Sequence, residues 1–159
     1  MASGSGADRS GQEASPAAPL DAFGDYLRDR NLPVTRQRLA VARAVLGSDR
    51  HLSADEVRRE AQRGGARVGT ATIYRTLELL VQSGLVVARD FGEGFRRYEP
   101  ARDVPHHEHL LCTVCGRVTE FRDERLERMT TLIADAHDHA RQWHRLVIYG
   151  VCARCQRGE

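Results

Sequence analysis

Between residues 20 and 84 the apolar positions fall three or four apart, the spacing that lines one face of a helix. Leu20, Phe23, Tyr26 and Leu27 predict a short amphipathic helix over residues 20–30. Leu39, Ala42, Val45 and Leu46 predict a second, which Thr35 can cap and Gly47 ends. Ser53 and Glu56 stand in the S-x-x-E form of a capping box, opening an Arg-rich third helix that stops at Gly64-Gly65. Ile73, Leu77, Leu80 and Val81 form the apolar face of a fourth helix, over residues 70–83, with Gly84 as its C-terminal stop. The pattern then changes period. LVVARD and FRRYE are β-rich runs around the glycine-containing turn FGEG, which reads as a hairpin. Short helices followed by a hairpin are the order of a winged helix-turn-helix. Plain all-α packing accounts for the helices equally well, but not for the hairpin placed straight after them.

Residues 100–105 (PARDVP) carry a proline at each end and read as a hinge. Beyond them HEHLLC, RVTEF and RLVIYGV read as three strands. A helix over residues 123–139 has Leu126, Met129, Leu132, Ile133 and Ala136 on one face. The predicted fold class is thus α+β: a winged-helix domain over residues 20–99, then a small α/β domain over residues 106–159. The second unit is too small to be comfortable alone, so a dimer or a metal staple is expected. Residues 1–19, rich in Gly, Ser, Ala and Pro, read as a disordered tail. No internal repeat is visible.

Composition narrows the classes. No apolar run among the 159 residues is long enough to span a bilayer, and residues 1–19 lack the apolar stretch of a signal peptide. A cytoplasmic protein with no membrane partner is expected, in which four cysteines serve as thiols or metal ligands rather than disulfides. All 24 basic residues are Arg, which fits genome composition and says nothing of function. The net charge of +2 is too small to identify a nucleic-acid partner, so any DNA-binding charge must be local.

The chemistry concentrates after residue 105, where all four cysteines and six of seven histidines lie. Cys112-x-x-Cys115 and Cys152-x-x-Cys155 are paired knuckles. Tetrahedral Zn²⁺ takes four soft donors at about 2.3 Å, and two CxxC turns close such a shell against water. The expectation is a structural zinc that clips the last strand onto the first. A redox dithiol is the alternative, disfavoured by the second pair and the lack of a thioredoxin-like pattern.

In HHEHLL, alternation along a strand puts His107 and His109 on one face and His106 and Glu108 on the other. One run can therefore feed two separate sites. Imidazole with carboxylate is the donor set of Fe²⁺, Mn²⁺, Zn²⁺ or Ni²⁺. The plainer alternative is a surface histidine-rich strand with incidental affinity. Spacing alone would assign no metal to His51, a lone loop residue, or to His144 at the start of the last strand. His137 and His139 follow the helical pattern and suit its negative end without further role.

Taken together, VTRQRLAVARAVL, HLSADEV, GTATIYRTLELLVQSGLV, FRRYE, HHEHLLCTVCGRVTEF and YGVCARC resemble the ferric uptake regulator family of metal-responsive repressors. The likeness runs from about Leu20 to Cys155, and its T-x-x-Y-R-x-L and HxHLxCxxCGxVxEF segments are highly specific. It implies a homodimer held by the C-terminal domain. It also implies a DNA-reading fourth helix, with Thr72, Tyr74 and Arg75 as contacts and Arg36 and Arg38 near phosphates. The alternative for Tyr74 is a half-buried packing aromatic. The family often has a basic residue before the position of Val34-Thr35, where this chain has Pro33, which puts a minor-groove contact in doubt. The family's regulatory site maps onto His51, Glu99, His107 and His109, with Glu120 beside them as a fifth ligand. Its auxiliary site maps onto His106, Glu108, Glu127 and His144.

The resemblance implies a repressor that binds palindromic promoter operators when loaded with metal and controls metal uptake genes. Fe²⁺ is the first choice of regulatory metal. A carboxylate at Glu99, rather than a thiolate, disfavours the zinc-sensing branch, and Glu rather than Asp at 99 and 120 disfavours the peroxide-sensing branch. Zinc, manganese and nickel sensing remain open alternatives. Of the other classes, a zinc hydrolase lacks HExxH and a nucleophile elbow. A zinc-stapled interaction module without DNA binding is disfavoured by the hairpin and the T-x-x-Y-R segment.

Overall fold

The computed structural model describes residues 17–102 and 106–159. Of the tail expected over residues 1–19, residues 1–16 lie outside the described residues, as do residues 103–105 of the expected hinge; residues 17–19 instead open the first helix, and Pro100 ends a strand. Four helices come first: α1 (Ala17–Asp29), α2 (Arg36–Leu46), α3 (Ala54–Arg63) and α4 (Thr70–Gln82). The caps fall where the sequence puts them. The Thr35 hydroxyl accepts from Arg38 N at 3.2 Å, and Ser53 and Glu56 form the full capping box, at 3.2 and 2.8 Å. At α4, Gly69 takes the N-cap position with no side-chain bond.

The helices bury Phe23, Leu27, Val41, Val45, Val57, Ile73, Leu77 and Leu80 in one core, which Val86 and Tyr98 of the following hairpin close. That hairpin is β2 (Val86–Asp90) against β3 (Arg96–Pro100). A two-residue strand, β1 (Leu52–Ser53), joins its outer edge and pairs Leu52 with Tyr98. Sequence reasoning missed β1, which exists only through this long-range pairing. It makes the wing a three-stranded sheet in the order β1-β3-β2 and completes the expected winged helix.

The second sheet is β4 (Glu108–Cys112) between antiparallel β5 (Val118–Phe121) and parallel β6 (Val147–Gly150). The parallel pair sets the end of β6 beside the end of β4, as a clip of the last strand onto the first requires. Helix α5 (Glu124–Ala136) crosses between β5 and β6. It is shorter than the expected 123–139: Asp123 is its N-cap, His137 its C-cap, and Asp138 turns the chain away at φ +56°. A short α6 (Ala153–Gln156), not foreseen, carries Cys155.

The two halves differ in packing. Among the described residues from 106 onward, only Leu111 and Cys112 are buried apolar side chains, and α5 contributes none. No helix among the described residues is long and apolar enough to cross a membrane. The stability of the winged helix rests on its own core: Leu77→Ala, at a fully buried site, is expected to cost about 3 kcal/mol by urea denaturation.

Candidate metal centres

Three clusters of potential ligands occur among the described residues, and in each the donor atoms all lie within 4.8 Å of one another. They are the three groups that the sequence separates.

Cys112, Cys115, Cys152 and Cys155 are all free thiols. The parallel β4–β6 pair brings the knuckles together, and Cys152 N donates to Cys112 Sγ at 3.3 Å. Sγ of Cys115 and Cys152 are 3.8 Å apart. Four sulfurs at tetrahedral corners about 2.3 Å from one zinc ion would be separated by about 3.8 Å. Backbone N–H groups of Cys152 and Cys115 pull the Cys112 thiol down to about 6, whereas neighbouring Cys115 and Cys152 push Cys155 up to about 12. Four such thiols can all ionise only around a cation.

The second cluster joins the two sheets. His51 immediately precedes β1, Glu99 lies on β3, His109 on β4 and Glu120 on β5, while His107 leads into β4. Because Leu52 pairs with Tyr98, the preceding His51 stands beside Glu99. His51 Nε2 lies 2.7 Å from Glu99 Oε2 and 3.5 Å from Glu120 Oε1, and His107 Nε2 lies 3.8 Å from the same Glu120 oxygen. The rings of His51 and His107 each meet that of His109 edge-on, at 5.0 Å. Phe91 closes the apolar side, 5.1 Å from the His109 ring and 5.7 Å from that of His51.

His109 is 2% exposed, and neither ring nitrogen has a hydrogen-bond partner among the described residues. Burying an unsatisfied imidazole costs free energy, and a metal bond is one way to recover it. The donor set suits the role: desolvation, then the nearby His51 and His107, lower the His109 pKa to about 4, which keeps the ring neutral at pH 7. Burial raises the Glu99 pKa, but the contacts with His51 and Arg89 outweigh it and hold the carboxyl at about 2. Neutral imidazoles beside ionised carboxylates fit a divalent cation of the Fe²⁺, Mn²⁺, Zn²⁺ or Ni²⁺ type.

The third cluster lies on the other face of β4. Glu108, 2% exposed, takes His106 Nε2 and His144 Nε2 at 2.6 Å on one oxygen and the Leu146 amide at 2.6 Å on the other. Glu127 of α5 stands 3.7 Å from His144. This site is more satisfied internally than the second: His106 and His144 both meet Glu108, whereas both ring nitrogens of His109 lack a hydrogen-bond partner among the described residues. Alternation divides the histidines as expected even though strand geometry begins only at Glu108. His137 and His139 join no cluster.

The expected DNA-contact residues fall on the outer surface of the helices. Ile73, Thr76, Leu77 and Leu80 form the buried face of α4. Tyr74 is 55% exposed, and Arg75 is exposed beside it. Thr72 is half-buried; Arg36 is exposed, and Arg38 donates to the Pro33 carbonyl at 2.8 Å. Sequence reasoning missed the supports: Arg89, whose Nε donates to Glu99 at 2.7 Å, Phe91, and Arg141, which reaches Glu127 and His144. Arg89 was findable, because in the hairpin it sits on the same face as Glu99, two pairs along.

The depressed pKa of His109 gives a pH signature. Between about 6.5 and 4 the unfolded chain takes up a proton that the folded one refuses, so stability of the metal-free protein falls as pH falls through that window. Glu99 continues the loss below its ordinary 4.5, down toward about 2. Thermal unfolding of metal-free protein between pH 7 and 4 should show a falling midpoint, flattened in His109→Asn.

Similarity to known proteins agrees with this architecture. The ferric uptake regulator family model matches residues 29–149. The chain is 36% identical over 138 residues to the ferric uptake regulation protein of Campylobacter jejuni subsp. jejuni serotype O:2, covering 86% of this chain and 87% of that one. Its fold superposes on the Vibrio cholerae ferric uptake regulator with a TM-score of 0.67 at 33% identity, covering 81% and 98% of the two chains. A zinc-bound manganese uptake regulator gives 0.70 at 32% identity, covering 82% and 98%. With more than half its length matched and relatives above 30% identity across most of both chains, this protein belongs to the ferric uptake regulator family.

Proposed function

We propose that the chain is a metal-dependent transcriptional repressor of the cytoplasm, not an enzyme, that binds palindromic promoter operators as a homodimer. Its regulatory ion is Fe²⁺, and it controls metal uptake genes. The observation that carries this reading is the buried, unsatisfied imidazole of His109 among His51, Glu99, His107 and Glu120, where the winged helix meets the second sheet.

In this reading His51, Glu99, His107 and His109 hold the regulatory ion, with Glu120 as a fifth ligand. When bound, the ion supplies simultaneous bonds to donors from both sheets. Because His51 and Glu99 belong to the wing and His107 and His109 to the second sheet, these residues can ligate together only when the two parts are close. Differential affinity for that arrangement shifts the population toward it. In a two-fold dimer this sets the separation of the two α4 helices, and palindromic half-sites impose that spacing. Exposed Tyr74 and Arg75 on α4 then reach bases or phosphates, with Thr72, Arg36 and Arg38 at the edge. The Vibrio cholerae relative is described by a rearrangement of its DNA-binding domains, which supports a mobile relation between the halves.

Cys112, Cys115, Cys152 and Cys155 hold structural zinc in this reading, and His106, Glu108, Glu127 and His144 form an auxiliary site. Dimerisation is supported by α5. Met129, Leu132 and Ile133 are all more than half exposed, as is Trp143 after the helix, so a second copy is the partner that covers them. Manganese is the second reading, favoured by the 32% identity to a manganese uptake regulator.

A DNA shift on a palindromic promoter fragment, titrated separately with Fe²⁺, Mn²⁺, Zn²⁺ and Ni²⁺, tests this. Fe²⁺ should tighten wild-type binding most, and His107→Ala should abolish that gain. Arg75→Ala should weaken binding by about 1–3 kcal/mol whatever the metal. Activation by Mn²⁺ alone selects the second reading, and equal binding with and without every metal overturns both.

A further inference from the structure

Arg97 carries a buried charge that neither a metal site nor the DNA surface uses. It is the second residue of β3, opposite Ser53 of β1 and Arg89 of β2, and is 6% exposed. A guanidinium so placed must spend its donors inside the protein. Nε and Nη2 fork onto the two oxygens of Glu93 in the wing turn, at 2.6 and 2.8 Å. Nη1 donates to the main-chain carbonyl of His51 at 3.2 Å and stands 3.5 Å from Oε2 of Glu56, the carboxylate that closes the α3 capping box. On its far side Nη2 faces Gly116, where an added Cβ would lie 2.9 Å away. Gly116 has φ +68° and ends the turn that begins with the Cys112 knuckle. A side chain there would push the guanidinium aside.

One side chain therefore touches the wing turn, the start of α3, the backbone of His51 and the cysteine knuckle. His51 needs such a support. It precedes a strand of only two residues, so little regular structure fixes its direction. We propose that Arg97 is a positioning residue: it holds His51 in place for the regulatory ion. The inference rests on the metal reading of the His51 cluster given above. A lysine cannot replace the fork, since it offers a single charge point rather than planar, divergent donors.

The test measures Mn²⁺ affinity by competition with a fluorescent chelator on the full-length protein, with zinc content measured alongside. Arg97→Met should weaken Mn²⁺ by about tenfold, as loss of a ligand's outer partner does, with zinc content unchanged. The double variant His51→Ala/Arg97→Met should bind no more weakly than His51→Ala alone, because Arg97 acts through His51. Wild-type affinity in Arg97→Met, additive losses in the double variant, or loss of zinc would each overturn the proposal. If Arg97→Met does not fold, Glu93→Gln loosens the same guanidinium; weaker Mn²⁺ binding there supports the proposal and wild-type affinity overturns it. An unchanged Mn²⁺ affinity in His51→Ala would instead remove the metal reading of the cluster, and the proposal with it.

Discussion

The buried imidazole of His109 is the constraint on which the arrangement of this protein turns. It sits on the central strand of the second sheet, walled by Phe91 of the wing, with both ring nitrogens lacking hydrogen-bond partners among the described residues. Folding places it there only because two chain segments converge on it: the His51 loop that enters β1, and Glu99 of β3. Desolvation and neighbouring histidines keep it neutral, and Arg89 helps keep Glu99 ionised. The wing and the second sheet thus meet around a polar cluster that favours a cation. An apolar contact in the same place would hold the two parts together permanently. A cluster of this kind makes their association depend on what binds there.

The second half of the chain shows the complementary weakness. Leu111 and Cys112 are its only buried apolar residues among those described, and α5 keeps its apolar face outside. Such a unit relies on other contacts: four thiols at zinc spacing, and the buried carboxylate of Glu108 bonded to the Leu146 amide. The N-terminal half, with a core running from Phe23 to Tyr98, needs none of these.

Much of this was legible in the sequence, and the limits are physical. The capping box of Ser53 and Glu56 is a local hydrogen-bond pattern and falls where expected. The cysteine knuckles and the two faces of the HHEHLL run depend on spacings of two or three residues, which backbone geometry fixes. The strand β1 was illegible because two residues carry no periodicity and their pairing with β3 spans more than forty positions. His51 was invisible to spacing for the same reason, and only the family resemblance singled it out. The true end of α5 depends on the left-handed conformation at Asp138, which the apolar pattern ran past. Arg97 was not singled out in the sequence, because its contact with the His51 carbonyl exists only once β1 is paired with β3.

The central claim is that one divalent ion bridges the wing and the second sheet. Anomalous diffraction at the manganese edge, from crystals of the full-length protein grown with Mn²⁺, tests it most directly. The account predicts a manganese peak bonded to His51, Glu99, His107 and His109. Manganese bound only elsewhere, with those four side chains free of it, would contradict the account.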